Sequence, residues 1–475
     1  MAATLPLNKT KIVATIGPAS NSVPMLEQMI RAGMNIARLN FSHGEFESHR
    51  QNIANIRAAA TAAGRPVALM ADLPGPKMRI GKLATEPIQL KAGDRFTLTT
   101  ENITGDKSRA SVTFTRLPEV VKPGDRLSLN DGYIQLEVAE VSGANVTCVV
   151  SAGGELRSRK GLNLPGINLG ISAFTERDRE CLEFVLKEGV DAVSQSFVEG
   201  AADIRAVREA AQALGRETMV IAKIERARAL ERLDEILDAA DGIMIARGDL
   251  GVEMPIERIA LVQKDIMRRA RLRAKPVITA TQMLESMATS RLPTRAEATD
   301  VSNAILDGTD CVMLSAESAT GAFPVEAVSM LARIAAEVEP ARPQTTVHEM
   351  FSGVDLTGKI LPFHLIAVAV EASLEYLKPA AVVVRTETGA TARRLAAFRL
   401  PVWIAAVGSQ AHVCRNLLFS YGVAPAQVSL APPSWPDYVR QWVKDHSLPG
   451  EFAILTQGPT AADPTSSHRM EVINL

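Results

Sequence analysis

The chain has 475 residues, with 52 lysines and arginines against 53 aspartates and glutamates, which leaves a formal net charge of -1. This length is too great for one compact core and predicts two or three domains. The balanced charge, without a long block of one sign, argues against nucleic acid or an anionic membrane as main partner. The sequence also lacks an apolar N-terminal signal and any run of about 18 apolar residues that could span a bilayer. We therefore expect a soluble cytoplasmic enzyme.

Short apolar runs alternate with segments of helical periodicity through the first two thirds of the chain. This alternation is typical of β/α units around a parallel sheet. The runs, with helices such as 201–214 and 256–273 between them, predict a closed (β/α)₈ TIM barrel rather than an open sheet. The predicted strands are 12–16, 35–40, 67–72, 192–197, 219–225, 242–246, 276–281 and 311–315.

A segment with a different sequence pattern follows the third predicted strand. Between residues 75 and 170, alternating stretches such as 95–99, 126–130 and 145–150 stand between Gly, Pro and Asp turn signals. This pattern is typical of antiparallel β structure. An insertion at this point would overhang the carboxyl ends of the barrel strands, where barrel active sites lie, and would act as a mobile lid.

The barrel pattern stops after residue 335, and residues 339–346 have the composition of a linker. The rest of the chain predicts a small α/β domain, with a strand at 381–385, a polar loop at 386–391 and a following helix. The predicted domains are a barrel formed by 1–72 and 172–345, an inserted small β-barrel lid formed by 73–171, and a C-terminal α/β domain formed by 346–475.

Charged residues end two consecutive predicted strands of the barrel. Lys223 and Glu225 close the run 219–225, and Asp249 follows the run 242–246. Neighbouring parallel strands lie about 4.8 Å apart, so these groups would converge at one rim. Hard oxygen ligands suit Mg²⁺ or Mn²⁺, and an ammonium group suits a phosphoryl group held by the same metal. The pattern predicts a metal and phosphoryl site, with surface carboxylates that cap helices as the alternative.

Several stretches match one family in order and at the right spacing, and the sequence resembles pyruvate kinases over nearly its whole length. The matching stretches are KTKIVATIGPAS at 9–20, MNIARLNFSHG at 34–44, KGLNLPG at 160–166, IAKIE at 221–225, IMIARGDLGVE at 243–253, ATQMLESM at 280–287, PTRAE at 293–297 and DGTDCVMLSAE at 307–317. The resemblance implies phosphoryl transfer from phosphoenolpyruvate to ADP, giving pyruvate and ATP. It also implies a divalent metal held by Glu225 and Asp249, and a homotetramer.

The resemblance assigns catalytic and substrate-binding roles to five positions. Lys223 matches the lysine that contacts the transferred phosphoryl group and the enolate oxygen, and Arg38 matches a phosphate-binding arginine. Gly248 and Asp249 belong to the loop expected to hold the substrate carboxylate with backbone N–H groups. Thr281 matches a residue near the enol carbon, where it would orient the water or proton path. For Arg38 a structural ion pair is the alternative, and for Thr281 a helix cap.

Residues at the ends of the inserted domain are expected to contact the nucleotide. Arg79 and Lys160 match residues that reach nucleotide phosphates when the lid closes, and Asn40 and His43 match positions near that site. Basic groups on a closing lid fit a polyphosphate substrate, because closure also excludes water. A surface histidine is the alternative for His43.

The loop after the third strand departs from the family pattern. Many members have Asp-Thr-Lys-Gly-Pro-Glu there, and in them the counterparts of Asn40, Ser42 and Asp72 would hold an activating K⁺. This chain reads Asp72-Leu-Pro-Gly-Pro-Lys77. Lys77 can supply covalently the positive charge that the ion would add, so we expect that K⁺ is not required. The alternative is that Lys77 points to solvent and the ion still binds.

The C-terminal domain resembles the family's regulatory domain. A hydroxyl-rich turn at a predicted helix start could bind the phosphate of a sugar-phosphate effector, and an ordinary helix cap is the alternative. The turn residues are Thr386, Thr388, Gly389 and Thr391. For the whole chain, two other classes of function stay open: a barrel lyase acting on a small keto acid, and a catalytically silent paralogue that only senses sugar phosphates.

Overall fold

The computed structural model describes residues 5–342, 362–459 and 465–475. In these residues eight parallel strands close into a barrel in the order β1-β16-β15-β14-β13-β12-β3-β2, which confirms the predicted TIM barrel. The barrel strands are β1 Lys11–Thr15, β2 Met34–Asn40, β3 Ala68–Leu73, β12 Ala192–Gln195, β13 Met219–Ile224, β14 Gly242–Ala246, β15 Val277–Ala280 and β16 Cys311–Leu314. All residues of these strands except Asn35 and Asn40 in β2 are buried, because helices cover the outside and side chains fill the inside.

Helices form the outer layer of the barrel. The longer ones present an apolar stripe to the strands, as Leu26, Met29 and Ile30 do in the first helix. The helices of this layer are α1 Val23–Ala32, α2 Phe46–Ala63, α4 Glu176–Lys187, α5 Ala201–Ala213, α6 Ala227–Glu231, α7 Leu233–Ala239, α8 Arg247–Glu253, α9 Ile259–Leu272, α10 Arg295–Leu306, α11 Ala316–Ala319 and α12 Pro324–Val338. Short 3₁₀ turns occur at Ile256–Arg258, Glu285–Ala288 and Glu339–Ala341.

The lid is inserted between β3 and α4 and has its own apolar core. A six-stranded sheet in the order β11-β7-β8-β9-β5-β6 is accompanied by the pair β10-β4. The sheet's two edges are connected by bridges from Arg79 to Gly161 and from Ile80 to Val112, which complete the expected small barrel. Its elements are β4 Ile88–Leu90, β5 Arg95–Thr99, β6 Arg109–Ser111, α3 Leu117–Val120, β7 Arg126–Leu129, β8 Ile134–Ser142, β9 Asn145–Ala152, β10 Gly154–Leu156 and β11 Leu162–Asn163.

The C-terminal domain is a five-stranded sheet in the order β19-β18-β17-β20-β21, flanked by helices. Only the last strand is antiparallel to its neighbour. The elements are α13 Pro362–Ser373, β17 Ala381–Arg385, α14 Ala390–Ala397, β18 Trp403–Gly408, α15 Ala411–Asn416, β19 Val423–Gln427, α16 Trp435–Asp445, β20 Phe452–Gln457 and β21 Arg469–Asn474, with a 3₁₀ turn at Leu417–Phe419. Half of the predicted linker, residues 343–346, and the predicted boundary at 345/346 lie outside the described residues.

A buried ion pair joins the C-terminal domain to the barrel floor. Arg399, just after α14, pairs with Asp310 at 2.7 Å, directly before β16. Asp310 also accepts the backbone N–H groups of Tyr421 and Val277. The domain is therefore fastened to the amino-terminal end of the barrel, opposite the lid. No helix in residues 5–342, 362–459 and 465–475 is long and apolar enough to cross a membrane.

Candidate active site

Charged side chains collect at the carboxyl ends of the barrel strands. Lys223 lies near the end of β13, and its neighbour β14 leads directly into α8 and Asp249. Arg38 and Asp72 lie near the matching ends of β2 and β3. Barrel closure therefore brings together groups that are far apart in sequence, at the rim where TIM barrels carry their active sites.

Lys223 lies at the centre of this cluster. Its ammonium group donates to Ser196 Oγ at 2.7 Å and forms ion pairs with Glu225 Oε1 at 2.9 Å and Asp72 Oδ1 at 3.2 Å. Burial opposes the charged form, but Asp72 and Glu225 outweigh that effect and raise the pKa of Lys223. The lysine is thus held in place as a cation.

Arg38 supplies a second fixed cation, buried beside the first. Its guanidinium donates to Thr15 Oγ1 at 2.8 Å and forms an ion pair with Asp72. Asp72 also accepts from Ser194 Oγ at 2.7 Å. Burial opposes ionisation of Asp72, yet the charges of Lys223 and Arg38 lower its pKa far below the ordinary value. Within the described residues Arg38 Nε is buried without a hydrogen-bond partner, so it remains able to donate to an anion.

Asp249 differs from Asp72 and Glu225 because no hydrogen bond or ion pair reaches its carboxylate in the described part of the chain. Burial, and then the charge of Glu225, raises the pKa of Asp249 to about 7. The half-buried carboxylate of Asp249 and the buried carboxylate of Glu225 repel each other, and such a pair makes a site that favours a cation. Their hard oxygen donors fit Mg²⁺ or Mn²⁺.

The number of protein ligands available determines how a metal ion would complete its coordination at this site. The described residues contain no group of three or more acidic, histidine or cysteine side chains arranged to hold an ion. Mg²⁺ in phosphoryl-transfer sites commonly uses one or two carboxylates and takes its other ligands from water and substrate phosphates. The pair Glu225 and Asp249 therefore fits a metal that is bound together with its substrate.

Thr281 is held in an unusual conformation next to α8. Its φ of 67° lies in the left-handed region, which is costly for a β-branched residue. Its hydroxyl accepts the Gly248 N–H at 2.8 Å and donates to Ala280 O at 2.7 Å, and Arg247 donates to its carbonyl at 2.9 Å. The Gly248 N–H expected to bind a substrate carboxylate is therefore engaged by Thr281. The Thr281 hydroxyl thus accepts an N–H from the first turn of α8.

The barrel rim and the lid enclose a cavity of 440 Å³. Its lining includes most of the predicted site residues: Arg38, His43, Asp72, Lys77, Arg79, Lys160, Lys223, Glu225, Asp249 and Thr281. Asn40 and Ser42 are not among the lining residues, because the Asn40 side chain turns back to accept the Ser42 N–H at 3.1 Å. The cavity thus joins the metal and phosphoryl groups to the basic residues of the lid.

The basic residues on the lid side face the same negative groups. Lys77 is at the solvent edge of the cavity. Its pKa is lowered, mainly by partial burial and secondly by the positive charge of Lys223. The carboxylates of Asp72 and Asp249 act in the opposite direction. Arg79 is anchored by donation to Arg159 O at 2.9 Å. The lid therefore adds positive charge opposite the carboxylates.

The predicted effector turn forms the start of α14. Gly389 takes φ of 79°, and its N–H donates to Thr386 Oγ1 at 2.8 Å, while Ala390 N donates to Thr388 Oγ1 at 3.4 Å. Thr386 is buried and Thr391 is half-buried. The hydroxyl oxygens of Thr386 and Thr388 thus accept backbone N–H groups at the start of the helix, which leaves their O–H protons to donate elsewhere.

Sequence reasoning missed several residues that shape the site. Thr15, Ser194 and Ser196 contact the central charges, and Asp131 enters the cavity from a lid turn. Alternation along 194–196 places two serine side chains on the same face of a strand, so this signal was available. The turn Asn130-Asp131-Gly132 is also visible in sequence, but its approach to the barrel depends on how the lid folds back.

A TIM barrel that holds two buried cations and two neighbouring carboxylates at its rim, beneath a lid with basic side chains, has the architecture of a phosphoryl-handling barrel enzyme. Family models for the pyruvate kinase barrel domain and the pyruvate kinase alpha/beta domain match residues 7–328 and 364–472. The chain is 48% identical to the pyruvate kinase of Thermococcus litoralis over 422 residues, 89% of each protein. It is 40% identical to that of Geobacillus stearothermophilus over 481 residues, 98% of this chain and 80% of the relative.

A crystal structure of a pyruvate kinase from Cryptosporidium parvum is similar to the whole fold. The TM-score is 0.92 at 35% sequence identity, and the match covers 98% of this chain and 96% of that one. The chain belongs to the pyruvate kinase family.

Proposed function

We propose that this protein transfers the phosphoryl group of phosphoenolpyruvate to ADP. An oxygen of the terminal ADP phosphate attacks phosphorus, the bond to the enol oxygen breaks, and protonation of the enolate carbon gives pyruvate. Such a reaction needs positioning and charge neutralisation more than covalent catalysis. The observation that carries the proposal is the buried Lys223 cation near Asp249, a carboxylate with no ion-pair or hydrogen-bond partner in the described residues, beneath a lid with basic side chains.

Each buried group has a distinct role in this proposal. Mg²⁺ or Mn²⁺, held by Glu225 and Asp249, would neutralise charge shared by the substrate carboxylate and phosphate. Lys223 holds the transferred phosphoryl group and stabilises the enolate oxygen, and the free Nε of Arg38 binds the phosphate. A fixed cation aimed at developing negative charge is worth about 3 to 4 kcal/mol when one such donor is removed.

Thr281 orients the proton path to the enolate carbon. A threonine hydroxyl is a poor proton donor at neutral pH, so the proton itself comes from water through a relay. On the other side of the cavity, Arg79 and Lys160 bind the nucleotide phosphates, with His43 nearby. Asn40 supports this side through its contact with Ser42 rather than through the cavity.

A single coupled assay tests the proposal against its rivals. Pyruvate formation from phosphoenolpyruvate is followed with and without ADP and with and without Mg²⁺. We expect formation only when both are present. A lyase would form product without ADP, and a silent sensor would form none under any condition.

We propose that Lys77 replaces an activating K⁺. Its ammonium group lies at the cavity that also contains Asp72 and Asp249, and both carboxylates favour its charged form. The wild-type enzyme, assayed in tetramethylammonium salts with Mg²⁺ present, should already run at full rate. A many-fold gain on adding K⁺ would exclude this role.

We propose that a sugar phosphate regulates the enzyme from a cavity of 740 Å³ between the barrel floor and the C-terminal domain. Thr388 of the effector turn lines it, together with more cations than carboxylates. The cations are Arg208, Arg216, Arg273, Lys275, Arg393, Arg394 and Arg415, and the carboxylates are Asp191, Glu217, Asp241 and Glu387. Burial lowers the pKa of Arg393 and of Lys275, while the charge of Asp241 acts in the opposite direction on both.

Calorimetric titration with a hexose phosphate, the unphosphorylated hexose and sulfate tests this site. Phosphate-dependent binding that Arg393→Gln weakens, and that the exposed control Arg440→Gln leaves unchanged, would support it. Equal binding by both variants would contradict it. We further propose that the protein is cytoplasmic and forms a homotetramer. Light scattering after size-exclusion chromatography would test the tetramer by measuring the mass of the assembly.

A further inference from the structure

Arg226, directly after the metal residue Glu225, is among the largest fully buried side chains of the protein. A guanidinium cannot lose its charge inside a protein, so burial of this kind requires opposing carboxylates and acceptors. Arg226 Nε lies 3.2 Å from Glu199 Oε1 and 3.8 Å from Glu253 Oε2. The catalytic role proposed above for the metal ligands does not use Arg226.

The same guanidinium reaches the chain segment through which the lid rejoins the barrel. Arg226 Nη2 donates to Leu164 O at 3.2 Å and to Ile167 O at 2.7 Å. Leu164 belongs to the apolar core of the lid, and Ile167 packs against it. A barrel residue therefore holds two carbonyl groups at the base of the lid.

Glu253 contacts the same returning lid segment from α8, the helix that carries the second proposed metal ligand, Asp249. It is the last residue of α8, the helix whose first turn carries Asp249. Its carboxylate accepts weakly from Gly166 N and Ala227 N, both at 3.4 Å. Gly166 lies between the two lid carbonyls that Arg226 binds, so the ion pair spans the end of β13, α8 and the returning lid segment.

The tip of the lid also approaches α8. A Cβ atom added at Gly132, in the turn between β7 and β8, would lie 3.3 Å from Val252, next to Glu253. The lid thus meets the Asp249 helix at its base and at its tip. Movement of the lid would consequently pull on the element that positions one of the two metal ligands.

We propose that Arg226 and Glu253 form a buried coupling that links lid position to divalent metal binding, with Arg226 as a positioning residue. The proposal rests on Glu225 and Asp249 being the metal ligands. Groups that orient metal ligands from behind typically change metal affinity by roughly 10- to 100-fold when they are removed.

Direct Mn²⁺ binding, measured by electron paramagnetic resonance without substrates, provides a readout that does not depend on turnover. Arg226→Met keeps the apolar stem but removes the contacts to Leu164 and Ile167, and we expect Mn²⁺ to bind at least tenfold more weakly. Limited proteolysis should cut the lid faster. Arg226→Lys keeps the positive charge but cannot donate to both Leu164 O and Ile167 O. Compared with Arg226→Met, it should therefore recover more of the unfolding free energy than of the Mn²⁺ affinity.

Two further variants separate coupling from simple structural damage. Arg399→Met breaks a buried ion pair at the opposite end of the barrel; it should lower stability and leave Mn²⁺ affinity and lid proteolysis unchanged. The double variant Arg226→Met with Glu253→Gln removes both charges of the coupling, and Glu199 keeps a second cationic partner in Arg228 at 3.4 Å, so this variant should fold well while Mn²⁺ binding stays weak.

Wild-type Mn²⁺ affinity in the folded double variant would overturn the proposal, as would an equal loss of Mn²⁺ affinity in Arg399→Met. If wild-type protein binds Mn²⁺ only when phosphoenolpyruvate is present, the same variants are compared in its presence; if it binds no Mn²⁺ under either condition, the assignment of Glu225 and Asp249 as ligands fails instead. The two failures are therefore distinguishable.

Discussion

Metal binding at Glu225 and Asp249 will depend on pH because the pKa of Asp249 is raised to about 7 by burial and by its neighbour. A metal ligand must be deprotonated, so metal and proton compete for this carboxylate. Below pH 7 each unit costs about tenfold in affinity, or about 1.4 kcal/mol. Between pH 8 and pH 5.5 the apparent affinity should fall roughly thirtyfold. An aspartate with an ordinary pKa would be ionised throughout this range and would show almost no change.

The assay is titration of Mn²⁺ into substrate-free protein at several pH values from 5.5 to 8, followed by electron paramagnetic resonance. Binding should strengthen as pH rises through 7 and then level off, with proton release detectable below pH 7. The control Asp249→Asn has no titrating group, so its weaker binding should be nearly independent of pH. A change of less than twofold in the wild type over the whole range would refute the reasoning.

Three other substitutions give separate tests. Lys223→Met should lower kcat by roughly 10²- to 10³-fold in steady-state assays, and a loss below fivefold would contradict its role. Lys77→Glu should acquire a many-fold activation by K⁺ that the wild type lacks. A variant that is equally active in K⁺ and in tetramethylammonium salts would contradict the proposal that Lys77 replaces the ion.

Lys11→Met tests a buried lysine outside the site. Burial lowers the pKa of Lys11 to about 8, so its charging penalty is present below pH 8 and disappears as pH rises toward 10.5. After loss of the hydrogen bond to Val423 O, we expect a net gain of about 2 kcal/mol in unfolding free energy at pH 7. Urea unfolding should show that gain vanishing near pH 10; a constant difference between the proteins would contradict the account.

The barrel was predictable because its strands are buried on both faces and therefore stand out as apolar runs between helices. The observed strands lie within about two residues of those predicted. The lid's antiparallel character was also visible in the alternation of its residues. A small barrel was expected for the lid, but the isolated bridges around Arg79 and Ile80 that close its sheet leave no periodic signal in the sequence.

The site was less predictable than the fold because its chemistry depends on contacts across the barrel. The resemblance placed Asp72 in an ion-binding region, whereas the structure pairs its carboxylate with Arg38 and Lys223. The Gly248 N–H, expected to face the substrate, is taken by Thr281. Arg226 has no sequence signature, because a buried arginine looks like a surface arginine until the lid covers it.

The most direct test of the central claim follows the phosphoryl group itself. Phosphoenolpyruvate labelled with ³²P is mixed with ADP and Mg²⁺, and label in ATP is measured against pyruvate formed. We predict equal amounts of labelled ATP and pyruvate, with strong loss of both in Lys223→Met. Pyruvate formed with label in inorganic phosphate, or without ADP, would contradict phosphoryl transfer to the nucleotide.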